Sequence, residues 1–182
     1  MRLRLRLILL ILSSLWRKSM GILEESILNL RVLPNDIDVT KMTNDRFIAV
    51  MDLGRMDVAF RVGLIRIMFR RKWVPLATFD TIRFRYPLKV FQKYKLRTRI
   101  IWWDESTFYF EQQFERKGRT LATGYVYATL LGSGGPISPE DVLSEIGQSA
   151  ERPKKPEIVS KLQATESAIR ERQKRQGERG TN

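Results

Sequence analysis

The stretch Pro34–Asp57, PNDIDVTKMTNDRFIAVMDLGRMD, changes character part-way along. It opens on Pro-Asn-Asp, a cluster that stops an extended chain. It then presents Thr43-Asn44-Asp45, short polar side chains that start helices by bonding the unpaired N–H groups of a first turn. Apolar residues follow at Phe47, Val50, Met51, Met56, Phe60, Leu64 and Ile67. Their spacings describe a helix, not a strand. Apolar positions on so much of the circumference predict that the helix is buried. Gly54 is expected to mark a close packing contact and Gly63 a break between two helical pieces.

Outward from this stretch the period changes to two. Upstream, Ile27, Leu28, Leu30, Val32 and Leu33 suggest an extended strand within Glu24–Asp38 that stops at Pro34. Downstream, Ile82, Phe84 and Tyr86 alternate with Arg83 and Arg85 before Pro87. Tyr94 to Trp102 and Phe108 to Phe114 repeat the pattern around an Asp104-Glu105-Ser106 turn, and Lys117-Gly118-Arg119 reads as a hairpin into a last strand. One face of that strand is Ala122, Gly124, Val126, Ala128 and Leu130, small enough for another backbone to approach. Ser138-Pro139-Glu140 starts a short helix to Ile146. One helix wrapped by one antiparallel sheet is an α+β arrangement.

Composition removes several chemistries. The 182 residues suit one ordinary domain, and they include no Cys and no His. Nucleophilic pairs built on His, thiolate catalysis and the usual structural zinc sites are excluded. Acid–base work falls to Asp, Glu, Lys or Tyr. No metal or other cofactor is expected. The net charge is +13, yet residues 1–18 contribute +5 and residues 151–182 another +4, from nine basic and five acidic side chains. The body between them is only mildly basic, so nucleic acid is not the expected partner.

With these blocks on the page, the chain resembles hotdog-fold acyl-CoA thioesterases of the 4-hydroxybenzoyl-CoA thioesterase-like group, in the branch that includes thioesterase superfamily member six. The resemblance covers roughly residues 25–146. It rests on Pro34–Asp57, on Thr81-Ile82-Arg83-Phe84-Arg85, and on Trp103-Asp104 followed by Phe108-Tyr109-Phe110-Glu111-Gln112. The group reads Asp-x-Asp, then three residues, then His-Met-Asn-Asn and an aromatic residue on the helix. Asp36, Asp38, Lys41, Met42, Thr43, Asn44 and Phe47 correspond when a gap of one residue is accepted. Lys41 then stands at the usual His and Thr43 at the first Asn.

The resemblance implies a hotdog fold, an acyl-CoA or other acyl thioester as substrate, and a homo-oligomer, either a homodimer or a homotetramer. It places the catalytic carboxylate at Asp38, acting on water while the N–H groups near Asn44, Asp45 and Arg46 hold the thioester carbonyl at a helix start. Asp52, on the helix itself, is the second catalytic candidate; read as structure, it forms an i,i+3 ion pair with Arg55. Arg83, Arg85, Lys89 and Lys93 are candidates for the CoA phosphates. The alternative is a non-catalytic hotdog module that binds an acyl group, a lipid or a protein partner.

The ends read differently. Residues 1–18, MRLRLRLILLILSSLWRK, combine a basic start with an apolar run too short to span a bilayer, which needs about 20 apolar residues. The segment suits an interfacial helix on an anionic membrane surface, or a helix packed on the domain or a partner subunit, giving a cytoplasmic protein peripheral at the membrane. The domain itself is expected over 19–147, and the charged tail 148–182 is expected to be disordered or a loosely held helix.

Overall fold

The computed structural model describes residues 18–179 together with Arg6 and Leu10. The N-terminal segment expected at a membrane therefore lies almost wholly outside the described residues. Leu10 is buried in the core, and Arg6 donates from Nη2 to the Arg31 carbonyl at 3.0 Å and ion-pairs with Asp36.

The helix anticipated after Thr43 runs over Asn44–Arg61 (α1), breaks at Val62 and Gly63, and resumes over Leu64–Arg71 (α2). Gly63 has φ of 81°, a left-handed conformation that only glycine adopts without strain, so the chain turns there. α1 buries Phe47, Val50, Met51, Leu53, Asp57 and Val58. Its far end is tied to the sheet by the Ser26 hydroxyl, which donates to Asp57 Oδ2 at 2.5 Å.

The sheet that encloses α1 is built from β1 (Ser26–Arg31), β2 (Val74–Phe84), β3 (Lys93–Trp103), β4 (Phe108–Arg116) and β5 (Arg119–Gly132), with a short β6 (Gly135–Ile137) on β5. The order is β1-β3-β4-β5-β2 and every pairing is antiparallel. This is the expected α+β hotdog fold, a long helix held in the curl of an antiparallel sheet. The turns follow their residues. Asp104 Oδ1 accepts the N–H groups of Ser106 and Thr107, each at 3.0 Å, and Lys117 and Gly118 both take positive φ in the hairpin.

α1 presses directly on the inner face. A Cβ added at Gly54 would lie 2.7 Å from Gln112 Nε2 and 2.8 Å from Leu96 Cδ2, and would overlap Thr98 Oγ1. On β5, a Cβ at Gly124 would lie 2.9 Å from Met51 Sδ. The small positions of β5 thus form the groove their alternation implied.

The outer face is covered from the chain's end. After α3 (Pro139–Glu145), whose Ser138 Oγ accepts the Asp141 N–H at 3.1 Å, the tail becomes α4 (Glu157–Arg179). Of the two expectations for the tail, the helix is what forms, and the disordered reading is corrected. Ile158, Val159 and Leu162 pack on Trp102, Tyr109, Tyr127 and Phe79. The tail's few apolar residues suffice because they fall within one turn and meet an aromatic surface. Among the described residues no helix is long and apolar enough to cross a membrane.

Candidate active site

The approach to α1 is held by Asp36, the first acid of the Asp-x-Asp. It is buried, pairs with Arg6 and accepts the Leu33 N–H at 2.9 Å, while its own carbonyl accepts the Thr43 N–H at 3.1 Å. Asp38, two residues on, is exposed on a turn closed by its N–H to the Lys41 carbonyl at 3.2 Å. Its carboxylate makes no hydrogen bond or ion pair among the described residues. The next link, Met42 N–H to the Leu88 carbonyl at 2.8 Å, fastens this turn to the loop before β3.

The helix start is less open than its sequence suggests. The Thr43 hydroxyl donates to Asp45 Oδ1. That bond, the Arg46 charge and the N–H groups of Arg46 and Asp45 hold the Asp45 carboxyl below its ordinary value. The Arg46 N–H also points back to the Thr43 carbonyl at 3.0 Å. Of the donors assigned from sequence to a thioester oxygen, the Arg46 N–H is therefore engaged within the first turn.

A second cluster lies about 12 Å further along α1, at 1.5 Å rise per residue. Asp52 is exposed and ion-paired with Arg55, the i,i+3 pair anticipated for it. Arg55 Nη1 also donates to Gln112 Oε1 at 2.8 Å. Gln112, fully buried, donates in turn to the Met51 carbonyl at 2.8 Å and to Thr98 Oγ1 at 2.9 Å. The guanidinium is thus fixed from inside the sheet. A third acid, Asp80 on β2, stands 3.9 Å from Arg55 Nη1. Burial pushes its carboxyl above the ordinary value, Arg55 opposing and Asp52 adding.

One guanidinium therefore faces two carboxylates, and Asp52 and Arg55 line the mouth of a pocket of about 230 Å³. Its walls are apolar: Met56, Ala59, Leu64 and Met68 from the helices, and Leu76, Phe108, Phe110 and Leu130 from the sheet. Such a site accepts an apolar group and presents charge at its exposed end. No set of three or more Asp, Glu, His or Cys among the described residues is placed to hold a metal ion.

The four basic residues proposed for CoA phosphates do not converge. Arg83 and Arg85 line a groove beside Ile158 and Leu162 of α4, Lys93 lines a different one at the end of the sheet, and Lys89 pairs across from Lys41. β4 and β5 stand between β2 and β3 in the sheet, so residues close in number lie far apart, which a reading of nearby sequence numbers overlooks. Sequence reasoning also missed Asp80 and Gln112 as site residues. A carboxylate inside the otherwise apolar β2 pattern, and a Gln on the helix-facing side of β4, were the available signals.

The sequence profile of the thioesterase-like superfamily matches residues 32–159. The chain belongs to that superfamily. Protein THEM6 of Drosophila melanogaster is 31% identical over 124 residues, 67% of this chain and 62% of that protein. Protein THEM6 of Danio rerio is 34% identical over 125 residues, 67% of this chain and 60% of its own length. The chain thus spans less than two thirds of the curated relatives it matches. Among solved structures, a DHNA-CoA thioesterase from Staphylococcus aureus superposes with a TM-score of 0.61 at 15% identity, covering 79% of this chain and 94% of the other.

Proposed function

We propose that this protein hydrolyses an acyl thioester, an acyl-CoA being the substrate class suggested by its superfamily and by the CoA thioesterase it superposes on. The observation that carries the reading is the apolar pocket with Asp52 and Arg55 at its mouth. The acyl group fills the pocket and the carbonyl rests at the entrance. A carboxylate takes a proton from water as its oxygen attacks the carbonyl carbon. Arg55, oriented by Gln112, faces the oxygen that gains charge. The C–S bond then breaks, the sulfur leaves as a thiolate that is protonated, and the products are a carboxylic acid and a thiol.

Within one chain the geometry favours Asp52 as the base, because it lines the pocket and Asp38 stands on an exposed turn. Asp38 is the carboxylate that the family resemblance nominates. Purified protein assayed against acyl-CoAs of graded chain length separates the two: Asp52→Asn is expected to lower turnover about a hundredfold or more, the scale of a lost general base. Collapse in Asp38→Asn with Asp52→Asn unaffected would transfer the role to Asp38.

The reading includes a second copy. β2 is an edge strand that leaves Val74, Leu76 and Phe84 exposed, and Leu76 also lines the pocket. A long uncovered apolar edge invites pairing, so a homodimer formed along β2 would cover these side chains and narrow the pocket. Light scattering on Leu76→Lys, expected to give a monomer, tests it. Attachment to the cytoplasmic membrane face through residues 1–18 belongs to the same reading; its test is whether deleting them moves the protein to the soluble fraction.

A second reading is favoured by one observation, the Arg46 N–H at the start of α1 turned back to the Thr43 carbonyl. If the whole panel is bound and none is hydrolysed, the fold serves as a non-catalytic module for an acyl group, a lipid or a protein partner.

A further inference from the structure

The end of the sheet at which α1 begins carries a charge arrangement that hydrolysis does not use. Cross-strand neighbours there are like-charged three times over: Arg31 opposite Lys93, Lys41 opposite Lys89, and Arg116 opposite Arg119. Like charges directly opposite weaken a sheet. Lys117 and Lys95, the latter opposite Glu115, extend the same basic surface. The groove between these strands, about 860 Å³, has Glu115 as its one acidic lining residue, and Glu115 is drawn to Arg97 at 3.2 Å. Asp38 shares the Lys41 turn, and Asp45 lies 3.5 Å from Arg46. None of Arg31, Lys93, Lys95, Lys117 or Arg119 has a carboxylate partner among the described residues.

One aromatic ring projects from this end. Phe91 is 59% exposed and holds φ of 62°, a conformation that non-glycine residues seldom adopt. Its N–H bonds the Val32 carbonyl at 2.9 Å, so the backbone is fastened to the sheet while the ring stands out beside Lys93. Nothing in the packing of the subunit rewards that placement.

We propose that this end of the sheet docks on an anionic lipid surface, with the lysines and arginines meeting headgroups and Phe91 entering the interfacial layer. Juxtaposed cations gain from a negatively charged leaflet what they lose to one another in water. An amphipathic ring beside cationic side chains suits the boundary between headgroups and acyl chains. A discrete phosphate ligand would call for donors converging on one point, whereas these side chains are exposed and spread along an open edge. A nucleic acid would call for several open aromatic platforms, whereas beside Phe91 the other exposed ring of this end, Phe84, is packed edge-on against Phe47. Arg6 reaches the same end through the Arg31 carbonyl. The proposal is independent of the hydrolytic reading.

The test is co-sedimentation of the full chain with vesicles of phosphatidylcholine alone and of phosphatidylcholine with about a third phosphatidylserine. The parent is expected to bind the anionic vesicles and to be released by salt. Arg31→Gln, Lys93→Gln and Lys117→Gln together are expected to weaken binding about a hundredfold, at roughly fivefold per charge. Phe91→Ser is expected to weaken it separately. Because the triple variant removes repulsion, its melting temperature should be no lower than the parent's, which excludes lost folding as the cause. Equal binding to both vesicle types, or undiminished binding by the triple variant, overturns the proposal. So does competition by inorganic phosphate at low concentration, or tighter binding of an oligonucleotide lost in the same variant.

Discussion

Replacing Gly54 by Ala puts the contact between α1 and the sheet to a quantitative trial. The new methyl group would meet Gln112 Nε2 at 2.7 Å and Leu96 Cδ2 at 2.8 Å and would overlap the Thr98 hydroxyl. None of these atoms is the free end of an exposed chain; Thr98, Gln112 and Leu96 are all buried. Forcing an extra carbon into a filled core costs about 1–3 kcal/mol. Displacing Gln112 from its bonds to Met51 and Thr98 leaves buried polar groups unpaired, a further 1–3 kcal/mol or so. Against this, Ala is favoured over Gly inside a helix by about 1 kcal/mol. The net loss is about 3 kcal/mol, which for a chain of this size lowers the melting temperature by about 6–12 °C. Thermal and urea unfolding of Gly54→Ala measure it. Since Gln112 also orients Arg55, turnover should fall even at temperatures where the variant stays folded. A variant that melts at or above the parent would refute the reasoning, because α1 would then have room to lift from the sheet without penalty.

Asp80 bears on pH dependence. Its folded value is raised above the ordinary 3.8, so the folded state prefers the protonated acid. That preference is fully present below 3.8 and is lost as pH rises through the folded value. Asp80→Asn should therefore be more stable than the parent at pH 7, with the difference shrinking towards pH 3.8 in urea titrations; a difference constant with pH would contradict it. Ala59→Leu narrows the pocket, and is expected to lower kcat/KM for long acyl groups at least about tenfold while sparing short ones. Val159→Ala removes two methyl groups from the contact of α4 with the sheet, about 1.5 kcal/mol. Proteolysis between 148 and 179 should accelerate in that variant while the remainder resists.

Much of the fold was legible because its signals are local and repeated. The change from helical spacing after Thr43 to alternation after Lys72 marked α1, α2 and the sheet, and the small residues of β5 marked where the helix lies. β2 was recognised only from Ile82 onward. Its first half, Val74 to Thr81, is an exposed edge with an irregularity between Ala77 and Phe79, so no inward and outward alternation is written into it. The tail misled because overall polarity outweighed three apolar residues whose target, Trp102 and Tyr109, is distant in sequence. The candidate site was legible in part. The Asp52–Arg55 pair follows from helical spacing, but the approach of Asp80 and Gln112 to Arg55 depends on strand register.

The helix α4 has a consequence for growth beyond two subunits. Layers of sheet can stack only through bare faces, and in this chain one face holds α1 while Ile158, Val159 and Leu162 sit on the other. Stacking back to back would first require peeling α4 from Trp102 and Tyr109, re-exposing two large rings to water. Lateral addition along β2 carries no such penalty. For a second copy of the chain, α4 thus closes the outer face around Trp102 and Tyr109 and leaves the β2 edge open.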